Sequence, residues 1–141
     1  MAATILVVGF MGMIQAVAVS SAMMDNARRQ TLAAQILNHE IEKLRLATWS
    51  TVSGLPTAST SITIDPQFSS AITASGAAYS LTRSLTSPDP ATNLREIEFT
   101  VTWVVNTSRH DDNGNSLSFT YSRSQWTYFG KYGLNLSYQR T

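Results

Sequence analysis

The first 24 residues, MAATILVVGFMGMIQAVAVSSAMM, contain no Asp, Glu, Lys, Arg or His. As a helix this run is about 36 Å long at 1.5 Å per residue, enough to cross a hydrocarbon core of ~30 Å. A helix that is apolar all round must be surrounded by lipid, by other apolar helices or by a large core. The rest of the chain is rich in Ser and Thr and is too small to wrap it. The sequence therefore predicts a retained membrane helix over 1–24. A cleaved secretory signal fits less well: Ala16-Val17-Ala18 and Ser20-Ser21-Ala22 offer small residues, but no Lys or Arg forms a basic flank ahead of the apolar run. A buried core helix of a soluble protein is the third alternative. Ile5, Leu6, Val7, Phe10, Gly12, Ile14, Ala16 and Val17 are the candidate membrane and assembly residues. Gly12 and Ala16 form a small-xxx-small pair, which lets helix backbones approach closely in lipid.

The helical pattern continues beyond Met24. No Pro or turn cluster interrupts 24–49, and Asp25 precedes Arg28 and Arg29 at ion-pair spacing. Glu40 with Lys43 and Glu42 with Arg45 repeat that spacing. Leu32, Ile36, Leu37, Ile41 and Leu44 make one apolar stripe. The helix is expected to stop within Ser50–Pro56, where Gly54 and Pro56 stand.

The remainder reads as strands. A short strand is expected at Ser61–Ile64, then a loop or weak helical turn over Ser69–Ala78. Ala78–Thr86 is the next strand, with Arg83 interrupting its apolar face. In Leu94–Val105, Ile97, Phe99, Val101, Trp103 and Val105 alternate with polar residues, the pattern of a half-buried strand. Leu117, Phe119 and Tyr121 alternate likewise, but Trp126 and Tyr128 fall on the other parity, so a bulge is expected near Ser124. A final alternation at Leu134, Leu136 and Tyr138 follows Gly130 and Gly133. Ser87–Pro90 is a breaker, and Asp112-Asn113-Gly114 is a hairpin signal. The expected fold is α+β: a long N-terminal helix with a membrane half (1–24) and an amphipathic half (25–50), packed on a small antiparallel β-sheet head (51–141). The helical stripe should cover Ile97, Phe99, Val101 and Trp103.

Enzymatic chemistry finds no support in the sequence. Cysteine is absent, which excludes disulfides and thiolate sites. The net charge of +1, with charged residues at 13%, leaves no broad footprint for nucleic acid. His39-Glu40 opens an HExxH pattern, but Lys43 occupies the second His position, so a solvated helix face is expected there. No GxSxG, GxGxxG or P-loop is found. The three tryptophans read as core or edge aromatics.

Two stretches resemble a known family. Met1–Met24 is similar to the interior of the N-terminal helix of type IV pilins and type II secretion pseudopilins. Ala27–Leu46, ARRQTLAAQILNHEIEKLRL, resembles its amphipathic continuation in minor pilins of the PilV kind, and Tyr128–Tyr138 is faintly family-like. The resemblance implies a pilin-like, non-catalytic structural subunit of a type IV pilus, a type II secretion-type filament or a DNA-uptake apparatus. Its partners would be other pilin or pseudopilin subunits and the bacterial inner membrane, crossed once. The head would be periplasmic or on an extracellular filament, with no cofactor, small-molecule substrate or nucleic acid. A membrane-anchored periplasmic binding module or adhesin is the alternative. The family's processing and methylation motif is a basic leader ending in Gly, an aromatic and a Glu. It is incomplete here, because Met1 aligns just past that Glu. The expectation is that Met1 is an internal methionine of a longer prepilin. Some pseudopilins hold calcium in a loop. Asp111, Asp112, Asn113 and Asn115 are the weak counterpart here, with a plain hairpin turn the stronger expectation.

Overall fold

The computed structural model describes residues 2–86, 93–110, 114 and 116–131, with backbone alone at 2–6, 8, 9 and 107–110. The first element is α1 (Ala2–Arg45), a 44-residue helix about 66 Å long. It is followed by α2 (Trp49–Ser53), β1 (Thr60–Ile62), a 3-10 turn at Pro66–Phe68, α3 (Ser69–Ser75), β2 (Ala78–Thr86), β3 (Leu94–His110) and β4 (Ser116–Gly130). The four strands form one sheet in the order β1-β2-β3-β4, antiparallel throughout. This is a long helix packed on an antiparallel sheet, an α+β architecture.

Register decides which side chains meet the helix. Leu81 lies opposite Val101, Leu85 opposite Ile97 and Tyr79 opposite Trp103. Directly opposed residues share a face of the sheet, so the odd-numbered positions of β2 and β3 form one apolar surface. Leu32, Ile36, Leu37, Ile41 and Leu44 of α1 are buried in one cluster with Leu81, Leu85, Ile97, Phe99, Val101 and Trp103. The helical period of 3.6 brings the first group onto one stripe, and the strand period of 2 brings the second onto one face. Tyr79, Trp103 and Tyr121 stack in a ladder across β2, β3 and β4, with ring centroids 6.0 and 5.7 Å apart.

Four local expectations are corrected. The long helix ends at Arg45, ahead of the predicted Ser50–Pro56 stop. Its last turn tightens through Ala47 N–H donating to the Leu44 carbonyl. Thr48, extended at ψ 157°, then caps a separate α2, its hydroxyl accepting from the Thr51 N–H. The bend brings α2 back to the sheet end, where Val52 is fully buried and Trp49 stacks on Phe129 at 6.3 Å. Residues 69–75 form a true helix, closed by Gly76 in the left-handed region at φ 63°.

No bulge lies at Ser124. β4 pairs with β3 in unbroken register from Ser118 to Gly130, and the irregularity falls between Asn106 and His110. The parity change in the sequence arises because Trp126 and Tyr128 stand on the outer face, away from the helix, and are exposed. The fourth difference concerns His39 and Glu40, which are not on a solvated face. Glu40 is buried and His39 half-buried.

Gly114, at φ 82°, lies between the two arms of the β3–β4 hairpin. The breaker at 87–90, the calcium candidates Asp111, Asp112, Asn113 and Asn115, and the final alternation at 134–138 lie outside the described residues.

Candidate assembly surface

The head covers only the second half of α1. From Leu32 to Leu44 the stripe is buried, whereas Val7, Phe10, Met11, Met13, Ile14, Val17, Val19, Met23 and Met24 are all more than half exposed. Gly12 and Ala16 are exposed too, and a Cβ added at Gly12 would meet nothing within 4 Å. Of the candidate membrane and assembly residues, Val7, Phe10, Gly12, Ile14, Ala16 and Val17 thus stand on a bare helix. The side chains of Ile5 and Leu6 lie outside the described residues. Polarity along this stretch is muted: the Ser20 hydroxyl donates to the Ala16 carbonyl at 2.9 Å, within the helix itself. Contiguous exposed apolar surface of this kind marks a membrane or protein contact. Among the described residues, no helix is long and apolar enough to cross a membrane.

A polar collar marks where α1 leaves the head. Asp25 and Arg28 pair at 3.8 Å across an exposed turn. Arg29 Nε donates to the Ser75 carbonyl at 3.1 Å, tying α1 to the end of α3. The Tyr79 hydroxyl donates to the Arg29 carbonyl at 3.3 Å. Burial pushes the Tyr79 phenol above its ordinary value of 10.0. The neutral phenol is the form held here, so its contribution to stability is present below pH ~10 and is lost as pH rises through the raised value.

Between α1 and α3 lies an open groove of about 550 Å³ lined by Met24, Ala27, Arg28, Thr31, Leu32 and Gln35 of α1 and by Ala71, Ala74 and Ser75 of α3. It continues the bare helix into the head.

A second anchor sits further along α1. His39 Nε2 lies 3.4 Å from Asp65 Oδ2, and the Gln67 side-chain amide is 3.0 Å from His39 Nδ1. The His39 ring meets Phe68 edge-on at 5.5 Å. The incomplete HExxH pattern thus gives a histidine that holds the 3-10 turn against the helix. Asp65 also accepts from the Gln67 backbone N–H at 3.0 Å. That bond, then the bond and charge of His39, hold the Asp65 carboxyl below its ordinary value of 3.8. A depressed carboxyl stabilises the fold above its unfolded value, and the contribution disappears as pH falls through the folded one. The thermal midpoint of Asp65→Ala should accordingly fall less than that of the parent between neutral pH and about pH 3. Equal losses in both proteins would show that this cluster carries no acid sensitivity.

Two further ion pairs behave as their spacing predicts. Lys43 pairs with the buried Glu40 at 3.4 Å, and Arg45 with Glu42 at 2.6 Å. The interruption at Arg83 has a structural cost. Arg83 sits on the helix-facing side, opposite Phe99, with its Nε buried and without a hydrogen-bond partner. Trp103 carries the same defect at its indole nitrogen. Among the described residues no group of three or more His, Asp or Glu gathers to hold a metal. No protein-family model, curated protein or solved structure matches the chain.

Proposed function

We propose that this chain is a structural subunit, a minor pilin or pseudopilin, that enters a type IV pilus or type II secretion-type filament through α1. The observation that carries the proposal is a single unbroken helix whose second half forms the core of the head while its first half stands bare and apolar. In this reading the bare half rests in the bacterial inner membrane, with the head on the periplasmic side. During assembly the half-helix exchanges lipid for the half-helices of neighbouring pilin or pseudopilin subunits. Gly12 and Ala16 allow close backbone approach at that contact. The chain makes and breaks no bond, and the work of assembly comes from elsewhere in the machine.

The absence of cysteine allows a direct test. Ala16→Cys in full-length protein, oxidised in membranes alongside pilin-like subunits given a cysteine at the same depth of their own N-terminal helix, should yield disulfide-linked adducts as the two thiols are oxidised together. Gly12→Leu in the same background should suppress them at least about tenfold, because its bulk occupies the contact. Only monomer, or adducts indifferent to Gly12→Leu, would favour the alternative of a membrane-anchored binding module whose helix faces lipid alone.

A further inference from the structure

The outer face of the sheet carries a second feature, unrelated to assembly through α1. Because cross-strand partners share a face, the even-numbered positions of β2, β3 and β4 point away from the helix. Most are Ser or Thr. Among the described residues of this face, Glu96 and Glu98 of β3 are the only charged ones. Glu98 lies directly opposite Trp126, and Glu96 directly opposite Tyr128. Strand geometry sets the backbone of each glutamate about 5 Å across from that of its aromatic neighbour, and the two rows about 7 Å apart. Trp126 is 60% exposed, in contrast to Trp103 at 2%.

The two carboxylates lack compensation. Among the described residues, neither has a cation within ion-pair distance. The bonds they receive come from hydroxyls at long range: Ser84 to Glu98 at 3.4 Å and Tyr128 to Glu96 at 3.3 Å. The nearby cations point elsewhere. Arg83, Arg95 and Arg123 occupy odd positions on the helix-facing side, and Arg95 stacks over Trp49 there at 5.7 Å.

We propose that Glu96, Glu98 and Trp126 form a docking site for an arginine side chain presented by a partner polypeptide. Charge complementarity selects a cation. The flat, exposed indole beside the carboxylates selects a planar one, since a guanidinium can stack on the ring while its fork of N–H groups donates to carboxylate oxygens. An ammonium has the charge but neither the plane nor the fork. Ser84 and Tyr128 each donate to one carboxylate oxygen, which leaves the other oxygen of each glutamate for the guanidinium.

The test uses the full chain in non-ionic detergent, with the three tryptophan indole N–H resonances as the readout and acetyl-hexa-arginine amide as the probe. The Trp126 resonance should shift saturably while that of buried Trp103 stays in place. E96Q/E98Q should weaken binding at least about tenfold in that titration, and Trp126→Ala, which lacks the reporting indole, should weaken it comparably when binding is measured by isothermal titration calorimetry. An unmoved Trp103 resonance in each variant shows that the fold survives. The proposal is overturned by an unresponsive Trp126, by a shift that survives E96Q/E98Q, or by equal binding of hexa-lysine. It is likewise overturned if cellohexaose moves Trp126 and the arginine peptide does not, which would make the face a sugar platform.

Discussion

Ile36→Asp should cost the head on the order of 4 kcal/mol, a large part of the 5–15 kcal/mol that keeps an ordinary domain folded. Ile36 is 1% exposed and belongs to the cluster that joins α1 to the sheet. A carboxylate there enters the apolar cluster, so it must give up its water or force the helix off the strands. Ile41→Asp, at 5% exposure, should follow closely. Gln35→Asp, one residue earlier on the exposed side, should change little. Denaturant midpoints followed by circular dichroism decide the matter. Unmoved curves for Ile36→Asp and Ile41→Asp would mean that the stripe does not hold the sheet.

Full-length protein should fractionate with membranes and require detergent, whereas a chain starting at Asp25 should be soluble and folded. The nine large apolar side chains exposed between Val7 and Met24 set the scale. At about 1.5 kcal/mol each for transfer out of water, they favour a membrane or a neighbouring helix by on the order of 10 kcal/mol. Removing 1–24 leaves the buried stripe from Leu32 onward untouched. Recovery of the intact chain as a detergent-free monomer would overturn the membrane reading. An unfolded product from the shorter chain would show that the bare half supports the head.

The core was legible because two simple periods run unbroken through it. Leu32 to Leu44 repeat at helical spacing and Ile97 to Trp103 alternate strictly, so pairing them required only that each apolar face find a cover. Legibility failed where a choice depended on tertiary context. The stop at Arg45 has no Gly or Pro to announce it. It follows from Val52 and Trp49 returning to the sheet, which local propensity does not encode. His39 looked solvated because its partners Asp65 and Gln67 are remote in sequence. The parity change at Trp126 is visible in the sequence, but parity alone does not distinguish a bulge from two aromatics standing on the wet face. The sequence signal that would have found the outer-face pair was there: Glu96 and Glu98 sit on the wet parity of the same alternation that placed Ile97 and Phe99 inside.

The continuity of α1 also has a mechanical meaning. Between Gly12 and Gly54 the chain contains neither glycine nor proline, so the rod has no built-in joint at the level where it enters the head. A pull on its apolar end travels along the axis and reaches the head through the Leu32–Leu44 stripe. There it acts as shear between a rod and a sheet whose strands are themselves laterally bonded. Shear loads every contact of the stripe together, whereas a hinged tether would peel them one at a time. The head is thus coupled to the bare half of the rod without a joint, and an axial pull would load the whole stripe at once.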